Sequence, residues 1–145
     1  MIPDVISALR AVVRADADVI SIAPAAQIYA GEMPATEAAS QPRPAVVLSR
    51  AGGPSDYGML QVGRTRVDIR CYGTTPFEAA RLRAEVYELL KGLNRRKVTS
   101  TTPVITPTLI HSVLIEGGPV AIRDADGDWP LELFTVLALA AEIAA

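Results

Sequence analysis

From residue 64 the chain reads RTRVDIRCYG, with Thr65, Val67, Ile69 and Cys71 alternating with Arg64, Arg66, Asp68 and Arg70. Side chains alternate across a strand with a period of two, so this stretch predicts a β-strand with an apolar face and a row of four charges opposite it. The period then changes. In TTPFEAARLRAEVYELLKG, the residues Phe77, Leu82, Val86, Leu89 and Leu93 recur at helical spacing as a buried face, while Arg81 and Glu85 stand four apart on the wet side. Thr75 and Glu78 form a capping-box pattern, Pro76 suits the first helical position, and Gly92 is a stop signal.

An earlier amphipathic helix is predicted over 4–17, where Val5, Leu9 and Val12 repeat with Ile6 and Val13 beside them. Residues 23–43 read as a long connection rich in Ala, Pro and Glu, broken by the apolar pair Ile28 and Tyr29, and Pro34, Pro42 and Pro44 exclude a helix through most of it. AVVLSR (45–50) is a compact strand. The Gly/Pro/Ser-rich 51–63 is a hairpin loop, and 94–108 is a polar Thr/Pro-rich loop with a basic start. LIHSVLIEGG (109–118), apolar on both faces, predicts a central strand; PVAIRDADGD is a turn, and 129–140 is read as the last strand, although its Ala and Leu content would also suit a helix. The order α-β-β-α-β-β with short connections predicts an α+β fold occupying 1–145 as one domain. It is a two-layer sandwich with a mainly antiparallel four-stranded sheet and both helices on one face. The other face, carrying Arg64, Arg66, Asp68 and Arg70, is left without a helix.

Composition narrows the function. A chain of 145 residues, half of them apolar, can bury roughly two-thirds of its unfolded surface without disulfides or a structural metal. The net charge of −2 argues against wrapping nucleic acid. MIPDVISALRAVV has Asp4 early and no basic leader, and WPLELFTVLALAAEIAA is interrupted by Glu132 and Glu142, so neither a secretory signal nor a membrane span is expected. The expected setting is an aqueous, reducing compartment until the protein is assembled into something larger.

Catalytic and ligand-binding patterns fail on inspection. DADGD (124–128) places carboxylates like the start of a calcium loop, but Trp129 stands where glycine should follow and Thr135 where the bidentate glutamate belongs. A solvated turn is the better reading of Asp124, Asp126 and Asp128. His111 is the single histidine, with no cysteine or second histidine beside it to share a metal, and no serine sits in a nucleophile-elbow pattern. AGGPSDYG lacks the lysine and the glycine spacing of a phosphate cradle. The single cysteine, Cys71, is read as a buried hydrophobe. No cofactor, metal or enzymatic activity is expected.

Two readings of the charged row remain: plain solvated surface, or a surface that mates with a partner. The loops 51–63 and 94–108 favour the second, since loops of that length in a small domain are usually functional or disordered. The candidate interface is therefore Arg64, Arg66, Asp68 and Arg70, with loop contacts at Asp56, Tyr57, Met59, Arg95, Arg96 and Lys97.

The succession ALRAVVRADADV, IYAGEMP, PRPAVVLSR, VDIRCYG with TTPFEAARLRAEVYELLKGL, and RDADGDWP resembles the tail terminator (tail-completion) proteins of long-tailed bacteriophages and gene transfer particles. The strand–YG–Thr–EA–helix junction at 67–80 and the acidic turn with WP at 124–130 carry most of it. The resemblance implies a homo-oligomeric ring, typically hexameric, at the head-proximal end of the tail of a virion assembled in the host cytoplasm. Its partners would be the tail tube protein and the head–tail connector or neck proteins, with DNA only as cargo in the channel and no membrane. Two alternatives are a head-completion or neck adaptor of the same particle and, from another class, a small-molecule-binding α+β domain using His111 and the bare sheet face.

Overall fold

A computed structural model describes residues 5–51, 55–57, 60–100, 106–124 and 127–142. Helix α1 (Val5–Ala15) leads into a one-turn helix α2 (Ala17–Ile20), whose Asp16 cap accepts from the amides of Asp18 and Val19 at 2.9 and 3.1 Å. A 3₁₀ turn (Ala25–Gln27), strand β1 (Ile28–Ala30) and the short helix α3 (Ala35–Ala38) follow. Then come β2 (Ala45–Arg50), β3 (Ser55–Tyr57), β4 (Leu60–Tyr72), α4 (Pro76–Lys91), β5 (Asn94–Ser100), β6 (Thr106–Arg123) and β7 (Pro130–Glu142).

The strands form one curled, mixed sheet in the order β1-β2-β4-β7-β6-β5, with β3 pairing onto β4 off that path. The β1–β2 pair is parallel and the others are antiparallel. This overturns the expected four-stranded sheet with two helices in the order α-β-β-α-β-β. Three strands lay in stretches read as loops, and two one-turn helices escaped notice. The β5 sequence NRRKVTS is charged because it is an edge strand, where cations blunt unwanted pairing, so it has the composition of a loop. β1 is three residues long, too short to show a period.

β6 spans 18 residues rather than the expected ten, and it is not central along its whole length. Its pairing with β7 shifts register between Ile110 and Ser112, between Ile115 and Gly117, and between Gly117 and Val120. Each bulge resets the alternation, so the sequence loses its period of two. Gly118 has φ +82°, and a Cβ there would fall 2.7 Å from the Leu133 carbonyl, which explains a glycine inside a strand. β5 pairs with β6 only as far as Ser112, so the rest of β6 is an edge of the sheet.

One face of the sheet carries the main core. Val46 and Leu48 of β2, Val67, Ile69 and Cys71 of β4, Phe134, Val136, Ala138 and Ala140 of β7, and Ile110 and Val113 of β6 meet α1 and α4. Helix α1 contributes Val5, Leu9, Val12 and Val13, and α4 contributes Leu82, Val86 and Leu90. Arg10 and Arg14 of α1 donate to the carbonyls of Ile28 and Ala25 at 3.0 and 2.9 Å, tying the long connection to the helix. Helix α4 begins as its sequence requires: Thr75 accepts from the Glu78 amide at 3.2 Å, and Glu78 Oε1 accepts from the Thr74 amide at 2.8 Å. Just before it, Gly73 lies so close to the first turn that a Cβ would strike the Ala79 backbone.

Candidate assembly interface

The alternation in β4 places its charges as the pattern requires. Thr65, Val67, Ile69 and Cys71 are buried under the helices, and Arg64, Arg66, Asp68 and Arg70 lie on the opposite face. Burial pushes the Cys71 thiol well above its ordinary range, so it is an unreactive core side chain.

Register defines the rest of that face. Across it, Arg64 stands beside Leu139 and Ser112, Arg66 beside Leu137 and Leu114, and Asp68 beside Thr135 and Gly117. Further along, Arg70 stands beside Leu133 and Val120, and Tyr72 beside Leu131 and Ile122. The result is a cationic column on β4, a leucine-rich column on β7 and an aliphatic column on β6. Leu114, Val120 and Ile122 are 59%, 50% and 41% exposed, so the β6 column lies largely in solvent.

Polar contacts stitch the middle row. Thr135 donates its hydroxyl to Asp68 Oδ1 at 2.6 Å, and Arg66 Nε donates to Glu116 Oε2 at 2.8 Å, reaching past β7. Because Gly117 has no side chain, Arg66, Glu116, Gly117 and Thr135 surround an open hollow of about 440 Å³. A second hollow of about 350 Å³ opens where the first turn of α4 meets the β6–β7 end, among Pro76, Ala121, Ile122, Arg123, Pro130 and Leu131.

One end of this face is covered. Tyr29, Met33 and Trp129 pack on Ala45, Val47, Tyr72 and Leu131. Behind them Glu37, 4% exposed, accepts from Tyr29 Oη at 2.7 Å, Gln41 Nε2 at 3.2 Å and Arg43, which engages both carboxylate oxygens. The Arg43 guanidinium holds the Glu37 carboxyl below its ordinary range, although burial opposes it. The acidic turn closes the same end: Asp124 Oδ1 accepts from the Gly127 amide at 3.3 Å, and its Oδ2 faces Tyr72 Oη at 3.4 Å. Asp124 thus uses one oxygen within the turn and the other on Tyr72 of β4, and Asp126 lies outside the described residues.

The remaining sequence candidates scatter. Arg95, Arg96 and Lys97 are exposed, but on β5, separated from the arginine column by β7 and β6. Asp56 and Tyr57 fall on β3 against Gly63 and Leu60 of β4, and Met59 lies outside the described residues. His111 is half-buried at the bulge between Ile110 and Ser112. Among the described residues no group of three or more His, Cys, Asp or Glu is arranged to hold a metal, and no helix is long and apolar enough to cross a membrane.

Sequence reasoning missed the aliphatic column because it took β6 for a central strand and 119–123 for a turn. It also placed Phe77 in the buried face of α4, whereas Phe77 is 80% exposed. It used Glu132 only as an interruption of an apolar stretch, whereas Glu132 shares the inner face with Phe134 and pairs with Arg83 of α4 at 3.0 Å. The signal for Glu132 was present: it has the same parity as Phe134, Val136 and Ala138.

No protein-family model matches the chain, and no curated protein matches it in sequence. Its fold is shared with a solved chain from the "Virion of native gene transfer agent (GTA) particle". The two are 15% identical, with a TM-score of 0.65 over 94% of this chain and 93% of that one. A likeness at that identity establishes a common fold.

Proposed function

We propose that this protein is a non-enzymatic structural component of a phage-like virion, acting as its tail terminator. In this reading copies of the chain form a ring, hexameric by resemblance, on the last ring of the tail tube. The ring ends polymerisation and presents the surface to which the head docks. The observation that carries the reading is the fold shared end to end with a chain of a gene transfer agent virion. The sheet face supports it, since columns of cations and aliphatic side chains with no helix over them among the described residues make a surface suited to a protein partner.

Tube subunits stacked head to tail have no intrinsic end, so something must bind the terminal ring and refuse another subunit. Deleting the gene from the genome that carries it is expected to give tails of uncontrolled length beside DNA-filled heads without tails, seen by electron microscopy of the lysate. Normal-length free tails beside unjoined heads would assign the chain to the neck adaptor instead.

A further inference from the structure

Two apolar features on opposite layers of the molecule stand exposed, without a covering partner among the described residues. On the helix layer, Phe77 precedes the buried Leu82 by five residues, which puts it far around α4 from the core, and it is 80% exposed. On the other layer, Leu114, Val120 and Ile122 stand exposed beside the leucines of β7. The charges around the two are opposite in balance. The sheet face carries three arginines (Arg64, Arg66, Arg70) against two carboxylates (Asp68, Glu116). The outward side of α4 carries three carboxylates (Glu78, Glu85, Glu88) against two cations (Arg81, Lys91), because the half-buried Arg83 is held inward by Glu132.

We infer that the uncovered sheet face is covered by α4 of a second copy of this chain, with Phe77 inserted among Leu114, Val120 and Ile122 and the α4 carboxylates facing the arginine column. The inference rests on the ring reading above and names its subunit contact. Because knob and socket sit on opposite layers, one copy cannot use its own. The contact is therefore head to tail, each subunit giving α4 to one neighbour and its sheet to the other, the arrangement that closes rings. A layer of helices on both sides of the sheet then exists only in the assembly.

The test is disulfide trapping with Phe77→Cys and Val120→Cys in one chain, both native residues being exposed, while the buried Cys71 thiol does not compete. Mild oxidation of the purified protein across a concentration series, and of particles carrying it, is expected to give a ladder of covalent multimers on a non-reducing gel. Neither single variant should give one. Cross-linking that stops at the dimer would mean a two-fold contact and overturn the inference, as would no cross-link in either sample. Phe77→Glu should melt like wild type yet lose self-association, while Phe77→Trp retains it; a Phe77→Glu protein that still associates would also overturn it. A ladder in purified protein together with normal tails in the deletion lysate would keep this contact and reject the terminator role.

Discussion

At Glu37, in α3, a carboxylate is taken out of water and held by donors from Tyr29, Gln41 and Arg43, so a polar cluster helps to fix the long connection before β2, whose own regular elements are only β1 and one-turn helices. Its pKa is held below the ordinary 4.5, chiefly by the hydrogen bonds from Arg43. A carboxyl group with a depressed folded-state pKa favours folding when ionised. The contribution is full above the unfolded value and is lost as pH falls through the folded one. Glu37→Gln is therefore expected to lower the thermal midpoint at pH 6. The gap to wild type should narrow as the pH falls below about 4.5, the ordinary range of a glutamate. Thermal melts of both proteins from pH 7 to 3 check this; a constant gap would mean that the charge on Glu37 contributes nothing. None of this cluster was evident in the sequence, since Glu37 becomes buried only when Tyr29 and Arg43 close around it from the two ends of the connection.

Helix α4 shows how far a local pattern reaches. Its cap, its first-turn proline and its stop at Gly92 were readable because each acts within four residues, and the helix spans Pro76–Lys91. Thr75→Ala removes the hydroxyl that accepts from the Glu78 amide and is expected to cost about 1 kcal/mol. Urea denaturation should show a lower midpoint with an unchanged slope. Phe77 was misplaced because a step of five residues from Leu82 carries it around to the far side of the helix, off the stripe of Leu82, Val86 and Leu90. Strands divided likewise. β2 spans 45–50, as the pattern required, and β4 keeps strict alternation over its charged stretch. Bulges in β6 erased that alternation, and the cations of β5 hid an edge strand. Sheet order is a non-local property, and nothing in the stretch 23–43 announces that Ile28–Ala30 pairs in parallel with β2.

For the whole molecule the decisive question is whether the bare sheet face works alone or in company. Arg66 has a side chain 53% exposed and pairs with Glu116, itself 33% exposed, a bridge worth roughly 0.2–1 kcal/mol. Arg70 is half-buried beside Leu133 and Val47. Reversing both to glutamate removes that bridge and sets a carboxylate against Glu116, so the folded chain should lose on the order of 1 kcal/mol and its thermal midpoint should drop by only a few degrees. Assembly responds differently. If α4 carboxylates of a neighbour face the arginine column, two new glutamates turn attraction into repulsion across a desolvated contact, which costs several kcal/mol. The double variant Arg66→Glu, Arg70→Glu is therefore expected to fold, remain monomeric in light scattering where wild type associates, and fail to complement a deletion strain. A variant that folds and complements normally would make the arginine column plain solvated surface. One that unfolds would mean that the face is closed within a single chain, contrary to the exposure of Leu114, Val120 and Ile122 beside it.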